Sequence, residues 1–590
     1  MNDISEILEV AIQSHQTGNL QKAEQLYSQV IEKNPDHPVA LHALGIVAHQ
    51  KGQNDIATDL LARAITSNPQ NSQFHNTQGI VLEAIGKTDE AITSYKKAIL
   101  LNINYAEAYL NLAIALMESD NFIAAVEKCN QIISLFGGSA QAYNLMGYCL
   151  QRQSKLSEAI QSYRQAIHLE PDFAEPYNHI GVIFNHQERY NQAVESCRKA
   201  LELDPDYVEA YNSLGVALNG IGFYDEAVTN FQKAISLNPE YLDSYYNLGN
   251  NLRKQNQCTQ AIQLYKKAIQ IDPDCAKAHW NLSIVFLLTG RFSQGWTEYK
   301  WRRELGLVSY PHEYDQPYWD GSSFAGKRLL VHYEQGFGDN IQFVRYLPMV
   351  KQLGGTVILE MVKPLYQLFK RINGVDEFVQ ASSDSTPPDV DFDIHISTLD
   401  MPRLFGTTLE NIPCKVPYLY AESAKVECWR NKLDSGSFKV GLVWAGDARH
   451  GNDHNRSCSL KYFAPLVKIE GVKLYGLQKE VSGQLTELAA NMGIRCLGEQ
   501  FKDFSDTAAA IENMDLVISV DTSVLHLAGA MGKPAWALIP FVPDWRWLLD
   551  RQDCPWYPTM KLFRQKERGN WDELFARVSQ QLQILVGKKI

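Results

Sequence analysis

A short polar segment, Gly336-Phe337-Gly338-Asp339-Asn340, separates the apolar run 327–334 from an amphipathic stretch. This order predicts a strand, a turn and then a helix, whose first free N–H groups favour an anion. Asp339 is a candidate general base for an acceptor hydroxyl, and Gly336, Gly338 and Asn340 are candidates to shape the loop around that acceptor. From spacing alone, a helix N-cap is the simpler interpretation of Asp339.

A second polar segment begins where another apolar run, 515–521, ends. Asp521, Thr522 and Ser523 stand at the predicted start of a helix, and His526 lies one turn further on. A carboxylate, two hydroxyls and free backbone amides suit a diphosphate and the hydroxyls of a ribose. The alternative interpretation is a capped helix whose histidine faces the core.

Basic side chains form a third group, after the apolar run 439–446. The loop 447–457 carries several of them, and Gln478 and Lys479 end a later apolar run. Such groups can neutralise a nucleotide diphosphate that leaves during a reaction, as side chains and helix ends do in transferases without a metal. The basic residues of the loop are Arg449, His450, His454 and Arg456.

These segments belong to a region of strand, turn and helix that begins near residue 320. Its apolar runs predict two consecutive units with parallel sheets and helices on their faces, separated by the polar stretch 421–437. Ligands of such sheets bind beyond the carboxyl ends of the strands, here in the cleft between the units. The fingerprint G-x-G-x-x-G is absent, which argues against a NAD-dependent oxidoreductase. The Asp-x-Asp pattern at a strand end, at 389–393, lies in the first of these two α/β units and not in the second, where the candidate diphosphate groups are. We therefore expect neither a metal nor a cofactor.

The first half of the chain repeats every 34 residues. An alanine recurs in every repeat, a small residue stands twelve positions before it, and a core-type residue stands four positions after it. This pattern predicts two antiparallel helices per repeat, which the small residues allow to approach closely, with the aromatic side chains between neighbouring pairs. We expect eight full repeats over residues 4–275 and a degenerate ninth near 276–309. The alanines are Ala23, Ala57, Ala91, Ala125, Ala159, Ala193, Ala227 and Ala261.

The period, and segments such as YNSLGVALNGIGFYDEAVTNFQKAISLNPE, strongly resemble the tetratricopeptide repeat (TPR). This resemblance implies a superhelix with a concave groove that holds a peptide or protein. Asn111, Asn247 and Asn281 stand two positions before the small residue, as in TPR enzymes that transfer sugars to protein serine and threonine. These amides are candidates to grip a peptide backbone, although asparagine is also a tolerated polar residue on a solvated face. A second set stands three positions before the small residue: Asn76, Asn144, Asn178 and Asn212.

The segments EQGFGDNIQFVRYLP, KVGLVWAGDARHGNDHNRS and ISVDTSVLHLAGAMGKPAW resemble bacterial TPR proteins whose carboxyl-terminal domain is related to the ADP-heptose:lipopolysaccharide heptosyltransferases. That is glycosyltransferase family nine, with the GT-B fold of two Rossmann-like domains. The resemblance implies that Asp339 is the catalytic base and that Arg456 holds the diphosphate. It also implies that the D-T-x-x-x-H segment binds the nucleotide sugar, through Asp521, Thr522, Ser523 and His526.

Composition narrows the function further. The formal net charge of -12 argues against a nucleic-acid partner, and no apolar run is long enough for a membrane span. Ten cysteines without a C-x-x-C pair, and a start without a basic segment, predict reduced thiols in the cytoplasm.

The sequence thus predicts a TPR superhelix over 1–310, an acceptor domain over 320–420 and a nucleotide-sugar domain over 438–590. The predicted function is a metal-independent, inverting glycosyltransferase that acts on a protein or glycan acceptor presented with the help of the TPR groove. The alternative is an interaction scaffold whose GT-B module is inactive. We also expect the aromatic residues Trp296, Tyr299 and Trp301 to pack the end of the array against the transferase.

Overall fold

The computed structural model describes residues 4–307, 314–334, 336–381, 386–449, 451–479 and 483–587. It divides into two compact units, residues 1–244 and 245–590. None of the helices in these described ranges is both long enough and apolar enough to cross a membrane.

The first unit consists of α-helices of 13 to 15 residues that alternate with short turns. Helix pairs such as α1 and α2 each correspond to one predicted repeat. In chain order the helices are α1 (Ile4–Gln16), α2 (Leu20–Lys33), α3 (Pro38–Gln50), α4 (Asn54–Ser67), α5 (Ser72–Ala84), α6 (Thr88–Leu101), α7 (Ala106–Glu118), α8 (Phe122–Phe136), α9 (Ala140–Arg152), α10 (Leu156–Leu169), α11 (Ala174–His186), α12 (Tyr190–Leu203), α13 (Val208–Gly220) and α14 (Tyr224–Leu237).

Steric contact between the two helices of a repeat explains why a small residue occupies this position. A Cβ atom added to Gly79 would lie 2.4 Å from the ring of Tyr95, and one added to Gly215 would lie 2.5 Å from the ring of Phe231. Real Cβ atoms essentially never lie so close to another atom, so in these two repeats the aromatic ring packs this closely because the residue is glycine. The aromatic ring therefore lies across the glycine of its own repeat. It also packs on the following repeat, as expected: Tyr163 stacks on His179, with ring centroids 5.1 Å apart.

The helical repeats continue into the second unit. The helices there are α15 (Leu242–Lys254), which contains the boundary between the units, α16 (Cys258–Ile271), α17 (Ala276–Leu288) and α18 (Phe292–Tyr299). Helices α17 and α18 are the expected ninth pair, and a Cβ atom on Gly295 would lie 2.6 Å from Leu287.

Two parallel sheets follow, which confirms the predicted fold class and is consistent with GT-B. The first sheet has the strand order β3-β2-β1-β4, and the second has the order β10-β9-β8-β5-β6-β7. All their paired strands are parallel. The strands are β1 (Arg328–His332), β2 (Thr356–Met361), β3 (Glu377–Gln380), β4 (Ile394–Ser397), β5 (Phe438–Val443), β6 (Val472–Gly476), β7 (Ile494–Cys496), β8 (Leu516–Val520), β9 (Ala535–Ile539) and β10 (Met560–Arg564).

Helices connect these parallel strands, as parallel pairing requires. The stretch 421–437, which the sequence marks only as polar, contains a helix whose Trp429 is buried against Phe501. The helices of this region are α19 (Phe337–Phe343), α20 (Leu347–Lys351), α21 (Lys363–Phe369), α22 (Met401–Leu404), α23 (Ser423–Arg430), α24 (Asp453–Arg456), α25 (Ala464–Val467), α26 (Gly483–Asn491), α27 (Phe504–Glu512), α28 (Ser523–Ala530) and α29 (Trp571–Gly587).

Within the second unit, the last helical repeat packs against the α/β region, as expected from its aromatic residues. The indole N–H of Trp296 donates to the backbone oxygen of Thr407 at 2.9 Å, and its ring lies 5.4 Å from that of Trp545. Tyr299 also contacts the ring of Trp545. Trp301 instead stacks on His279 of α17, with ring centroids 4.2 Å apart, so it belongs to the repeat itself.

A buried ionic network continues this contact. Arg302 donates to both carboxylate oxygens of Glu334, at 2.6 and 2.8 Å, and to Asp400 at 3.2 Å. All three residues are at most 1% exposed. Glu334 follows β1 and Asp400 follows β4, so the segment after the last repeat supplies the positive charge at the carboxyl edge of the first sheet.

Candidate functional site

Asp521 links the end of β8 to the start of α28, at the carboxyl edge of the second sheet. Burial and then the carboxylate of Asp544 raise the pKa of Asp521 to about 6. Thr522 is the N-cap residue of α28, and its hydroxyl lies 3.1 Å from that of Ser519. Ser523 is the first residue of the helix. A carboxylate and free backbone N–H groups therefore meet at this helix start, as the sequence predicted.

His526 lies one turn into α28 and is only 4% exposed. Its Nδ1 atom is 2.9 Å from the hydroxyl of Tyr557, and its Nε2 atom is 3.9 Å from Asp521. Burial, followed by the charges of Arg546, Arg345 and Arg456, lowers the pKa of His526 well below its ordinary value. Because the imidazole is therefore neutral at pH 7, His526 and Asp521 do not form an ion pair.

Arg456 ends the short helix α24 and folds back onto the end of β5. Its Nε atom donates to Asp453 at 3.1 Å, and a Cβ atom on Gly446 would lie 2.4 Å from its Nη2 atom. Because residue 446 is a glycine, the guanidinium of Arg456 has room to lie beside the end of β5. The positive charge of Arg456 lowers the pKa of both Asp521 and His526, so it acts on the start of α28.

The other basic residues of this loop are placed differently. Arg449 is exposed and pairs with Asp447 at 2.6 Å, and His454 lies 3.0 Å from the amide of Asn455. His450 lies outside the described residues. Arg456 is therefore the loop residue whose charge reaches the start of α28.

Gln478 joins two neighbouring strand ends. Its side-chain oxygen accepts a hydrogen bond from the backbone N–H of Ala445 at 3.2 Å, which ties the end of β6 to the end of β5. Lys479 is exposed beside it. Gln478 therefore shapes this edge of the sheet, whereas Lys479 can move in solvent.

Asp339 stands at the carboxyl edge of the first sheet, in the first turn of α19. Gly336 is the N-cap residue, so Asp339 is the third helical residue and not the N-cap that spacing alone suggested. One carboxylate oxygen accepts from the N–H of Gly336 at 3.1 Å, and the other accepts from the guanidinium of Arg546. Burial raises the pKa of Asp339, and the charge of Arg546 opposes that shift.

Gly338 brings the two sheets' helices into contact. A Cβ atom on Gly338 would lie 3.0 Å from His526 and 3.5 Å from Ser523, so α19 and the start of α28 touch at this glycine. Asn340 is fully buried, donates to the backbone oxygens of Glu334 and Gly336, and accepts from Thr398 at 3.0 Å. Its amide therefore fixes the loop that precedes α19.

Arg546 was not among the site residues predicted from the sequence. It follows β9 and donates to Asp544 at 2.8 Å, to Gln342 at 2.7 Å and to Asp339. A signal was available, since the polar motif PDWRW follows an apolar run as the predicted site segments do. Its pairing with a residue 207 positions away has no signature in one sequence.

The two sets of asparagines in the repeats differ in burial. In the first unit, Asn76 and Asn178 are 1% and 3% exposed and donate to the hydroxyls of Tyr105 and Tyr207 in the following repeat. Asn111 is half-buried and donates to Asn76 at 3.1 Å.

In the second unit, Asn247 is half-buried, and Asn281 donates to the hydroxyl of Tyr246 at 3.3 Å. Asn76, Asn178 and Asn212 of the second set are therefore buried, whereas Asn144 is half-buried like the three residues that stand two positions before the small residue.

Comparison with known proteins identifies the first half of the chain. Models of the TPR repeat match residues 79–120, 221–252 and 249–290, and tetratricopeptide repeat models match 15–79, 140–173 and 174–207. The molecule is thus a TPR-repeat protein over residues 15–290, with a carboxyl-terminal α/β region that contains two parallel sheets.

Among curated proteins, protein FlbA of Caulobacter vibrioides is 27% identical over 321 residues, which are 50% of this chain and 53% of FlbA. The chain thus spans about half the length of this relative. Among solved structures, MamA is 28% identical, with 29% of this chain and 92% of MamA covered and a TM-score of 0.26. YrrB, described as a TPR protein with an unusual peptide-binding site, is 25% identical, with 31% and 95% covered and a TM-score of 0.26.

Proposed function

We propose that this protein is an inverting, metal-independent glycosyltransferase. The sugar comes from a nucleotide-sugar donor bound at the second sheet, and the acceptor is a protein or glycan. The observation that carries this proposal is the contact of α19 with α28 at Gly338, because it places the helix that carries Asp339 against the helix that carries His526 and follows Asp521.

The start of α28 supplies the chemistry for the donor. Free N–H groups at a helix start and the guanidinium of Arg456 favour a diphosphate. A neutral His526 can donate or accept one hydrogen bond without adding charge, and Asp521 suits the hydroxyls of a ribose. The same groups offset the negative charge that develops on the diphosphate as it leaves.

Asp339 supplies the base. The acceptor O–H bond breaks, its proton moves to a carboxylate oxygen of Asp339, and the acceptor oxygen forms a bond to the anomeric carbon. The bond from that carbon to the diphosphate oxygen breaks, and its electron pair leaves with the nucleoside diphosphate. A single displacement of this kind inverts the configuration of the sugar.

The repeats supply the acceptor side of the proposal. TPR arrays present concave surfaces that bind peptides or proteins. Asn111 in the first unit, and Asn247 and Asn281 in the second, are the candidate groups that hold an extended backbone, because all three are half-buried and so reach the surface, whereas Asn76 and Asn178 are buried.

A panel of ADP-, GDP-, UDP- and CMP-sugars tests this function on the full chain. A donor that binds the folded state raises the unfolding temperature, and turnover releases the nucleoside diphosphate. We expect one donor class to do both without an added metal. Binding without release of nucleoside diphosphate, in the presence of candidate acceptors, would favour the inactive scaffold. No shift with any nucleotide would contradict both the donor site and the transferase.

A further inference from the structure

Arg546 is held by acceptors from both sides of the cleft. Its Nε atom donates to the side-chain oxygen of Gln342, one Nη atom donates to Asp544 at 2.8 Å, and the other contacts Asp339. Its guanidinium carbon lies 4.3 Å from the ring centroid of Trp545, and its side chain is 10% exposed. Every side of this guanidinium therefore has a partner, and its position is fixed before any substrate binds.

We propose that Arg546 is a positioning residue for the transfer reaction: it keeps the carboxylate of Asp339 ionised and oriented toward the acceptor hydroxyl. This inference rests on the proposed function and adds a residue to it. Arg546 belongs to the loop after β9 in the second sheet, whereas Asp339 belongs to α19 beside the first sheet. The base is thus complete only when both sheets are in contact.

The charges around Asp339 explain why such a residue is needed. Burial raises the pKa of this carboxyl, and the nearby carboxylates of Asp544 and Glu334 raise it further. Arg546 and the N–H of Gly336 oppose these effects. Tyr299, His526 and Asp521 are further titratable groups that face this region, and the charges of Arg546 and Asp544 also act on Asp521. Without Arg546, three carboxyl groups would share the site, and Asp339 would hold its proton at higher pH.

The geometry also leaves the base able to react. The N–H of Gly336 binds one carboxylate oxygen and Arg546 binds the other, so the plane of the carboxylate is fixed. Each oxygen retains a second lone pair that can accept the proton of the acceptor hydroxyl. Arg546 is itself oriented by Gln342 and stacked on Trp545, which prevents it from rotating away.

The test is the pH profile of kcat/KM for Arg546→Gln and Arg546→Lys in the full chain, with Arg551→Gln as the control. Arg551 lies in the same segment and pairs with Asp553, outside the cleft residues described above. Because Arg546→Gln removes the positive charge beside Asp339, we expect the acidic limb of the kcat/KM profile of this variant to move upward by about 1–3 pH units. The loss of rate is then largest near pH 6 and smallest near pH 9. Arg546→Lys keeps the limb in place and lowers kcat, because the fork geometry is lost.

A uniform loss at every pH in Arg546→Gln, with an unchanged acidic limb, would overturn the proposal and leave a structural role. An unchanged rate in the same variant would overturn it as well.

A second readout does not depend on transferase activity. If Arg546 holds the proton off Asp339, Arg546→Gln should destabilise the fold more at pH 8 than at pH 5, because Asp339 must then ionise beside Asp544 and Glu334. The additional substitution Asp339→Asn should reduce this pH dependence, and the remainder comes from Asp521, whose pKa the charge of Arg546 also lowers. An equal destabilisation at both pH values would overturn the role of Arg546 even if no sugar donor is ever turned over. The expected pH dependence in an inactive protein would instead contradict only the proposed function.

Discussion

The two parallel sheets carry charged residues at their carboxyl edges in different ways. At the first sheet, Glu334 and Asp400 are buried and bound by Arg302. Burial alone would raise the pKa of Asp400, but the charges of Arg302 and Arg303 lower it well below its ordinary value. At the second sheet, the pKa of Asp521 is raised to about 6.

This difference separates charged side chains that stabilise the fold, such as Asp400, from charged side chains that remain available to a ligand, such as Asp521. A buried carboxylate that is fully paired stabilises the fold and has little capacity left for a substrate. A raised pKa means that the ionised form of a carboxyl is disfavoured. Beside a helix start and a guanidinium, hydrogen bonds to a bound ligand can offset this cost. Asp339 follows a strand of the first sheet, but its partner Arg546 follows a strand of the second, so Asp339, the proposed base, is bound from both sheets.

The largest effect on stability is expected at the carboxyl edge of the first sheet. Arg302→Met leaves two buried carboxylates without their main partner, and breaking such a pair costs about 3–5 kcal/mol of unfolding free energy. The matched control is Arg328→Met. Arg328 binds Glu377 with a similar pair of hydrogen bonds, at 2.9 and 2.8 Å, on the surface. Denaturant unfolding should show a large loss for Arg302 and almost none for Arg328. Equal losses would mean that burial does not distinguish the two pairs.

A smaller effect is expected on donor binding at the carboxyl edge of the second sheet. Arg456→Ala removes the guanidinium beside the start of α28 and should weaken binding of the nucleoside diphosphate about tenfold, or ~1.4 kcal/mol. Lys479→Ala removes an exposed charge and should change affinity less than about threefold, because exposed charges interact weakly through water. Isothermal titration calorimetry measures both variants. A larger loss in Lys479→Ala would place the diphosphate elsewhere.

The smallest effect is the pH dependence of stability. The folded pKa of Asp521, about 6, lies above its unfolded value, so the folded state binds a proton that the unfolded state lacks. Unfolding free energy should therefore rise by about 1 kcal/mol between pH 7 and pH 5 from this group. Asp400 has a lowered pKa, so its stabilisation is complete above the unfolded value and is lost only as the pH falls below it.

Asp521→Asn should remove this contribution between pH 7 and pH 5, whereas Asp400→Asn should leave it and lower stability throughout. Chemical unfolding at both pH values measures the difference. The same pH dependence in wild type and Asp521→Asn would show that Asp521 is already ionised at pH 5.

The helical repeats were predictable because their interactions are local. The period of 34 residues marks pairs such as Gly79 and Tyr95, which are 16 positions apart and lie in contact. The central strands were also predictable, since each is a continuous apolar run. The short edge strands β3 and β7 were missed, because they have four and three residues and are partly exposed. Their position depends on pairing with neighbours and not on their own composition.

The candidate site was predictable only in part. The segments that begin at Gly336 and Asp521 could be found, because a polar group after an apolar run marks a strand end. The contacts of Arg302 with Glu334 and of Arg546 with Asp339 could not, since they join residues 32 and 207 positions apart. A single sequence also cannot show that Asn340 is used within the fold or that Arg449 faces solvent.

The most direct test of the central claim is the rate of nucleoside diphosphate release by wild type, Asp339→Asn and Asp376→Asn, with the donor identified by the panel. Asp376 is a matched control, because it also accepts a backbone N–H, from Val357 at 2.8 Å, and pairs with Lys351 at the other edge of the first sheet. Removing a general base lowers the rate about 100- to 10,000-fold. We predict this loss for Asp339→Asn, with unchanged donor affinity, and a near-normal rate for Asp376→Asn. A fully active Asp339→Asn enzyme, or a wild type that releases no nucleoside diphosphate from any donor, would contradict the account.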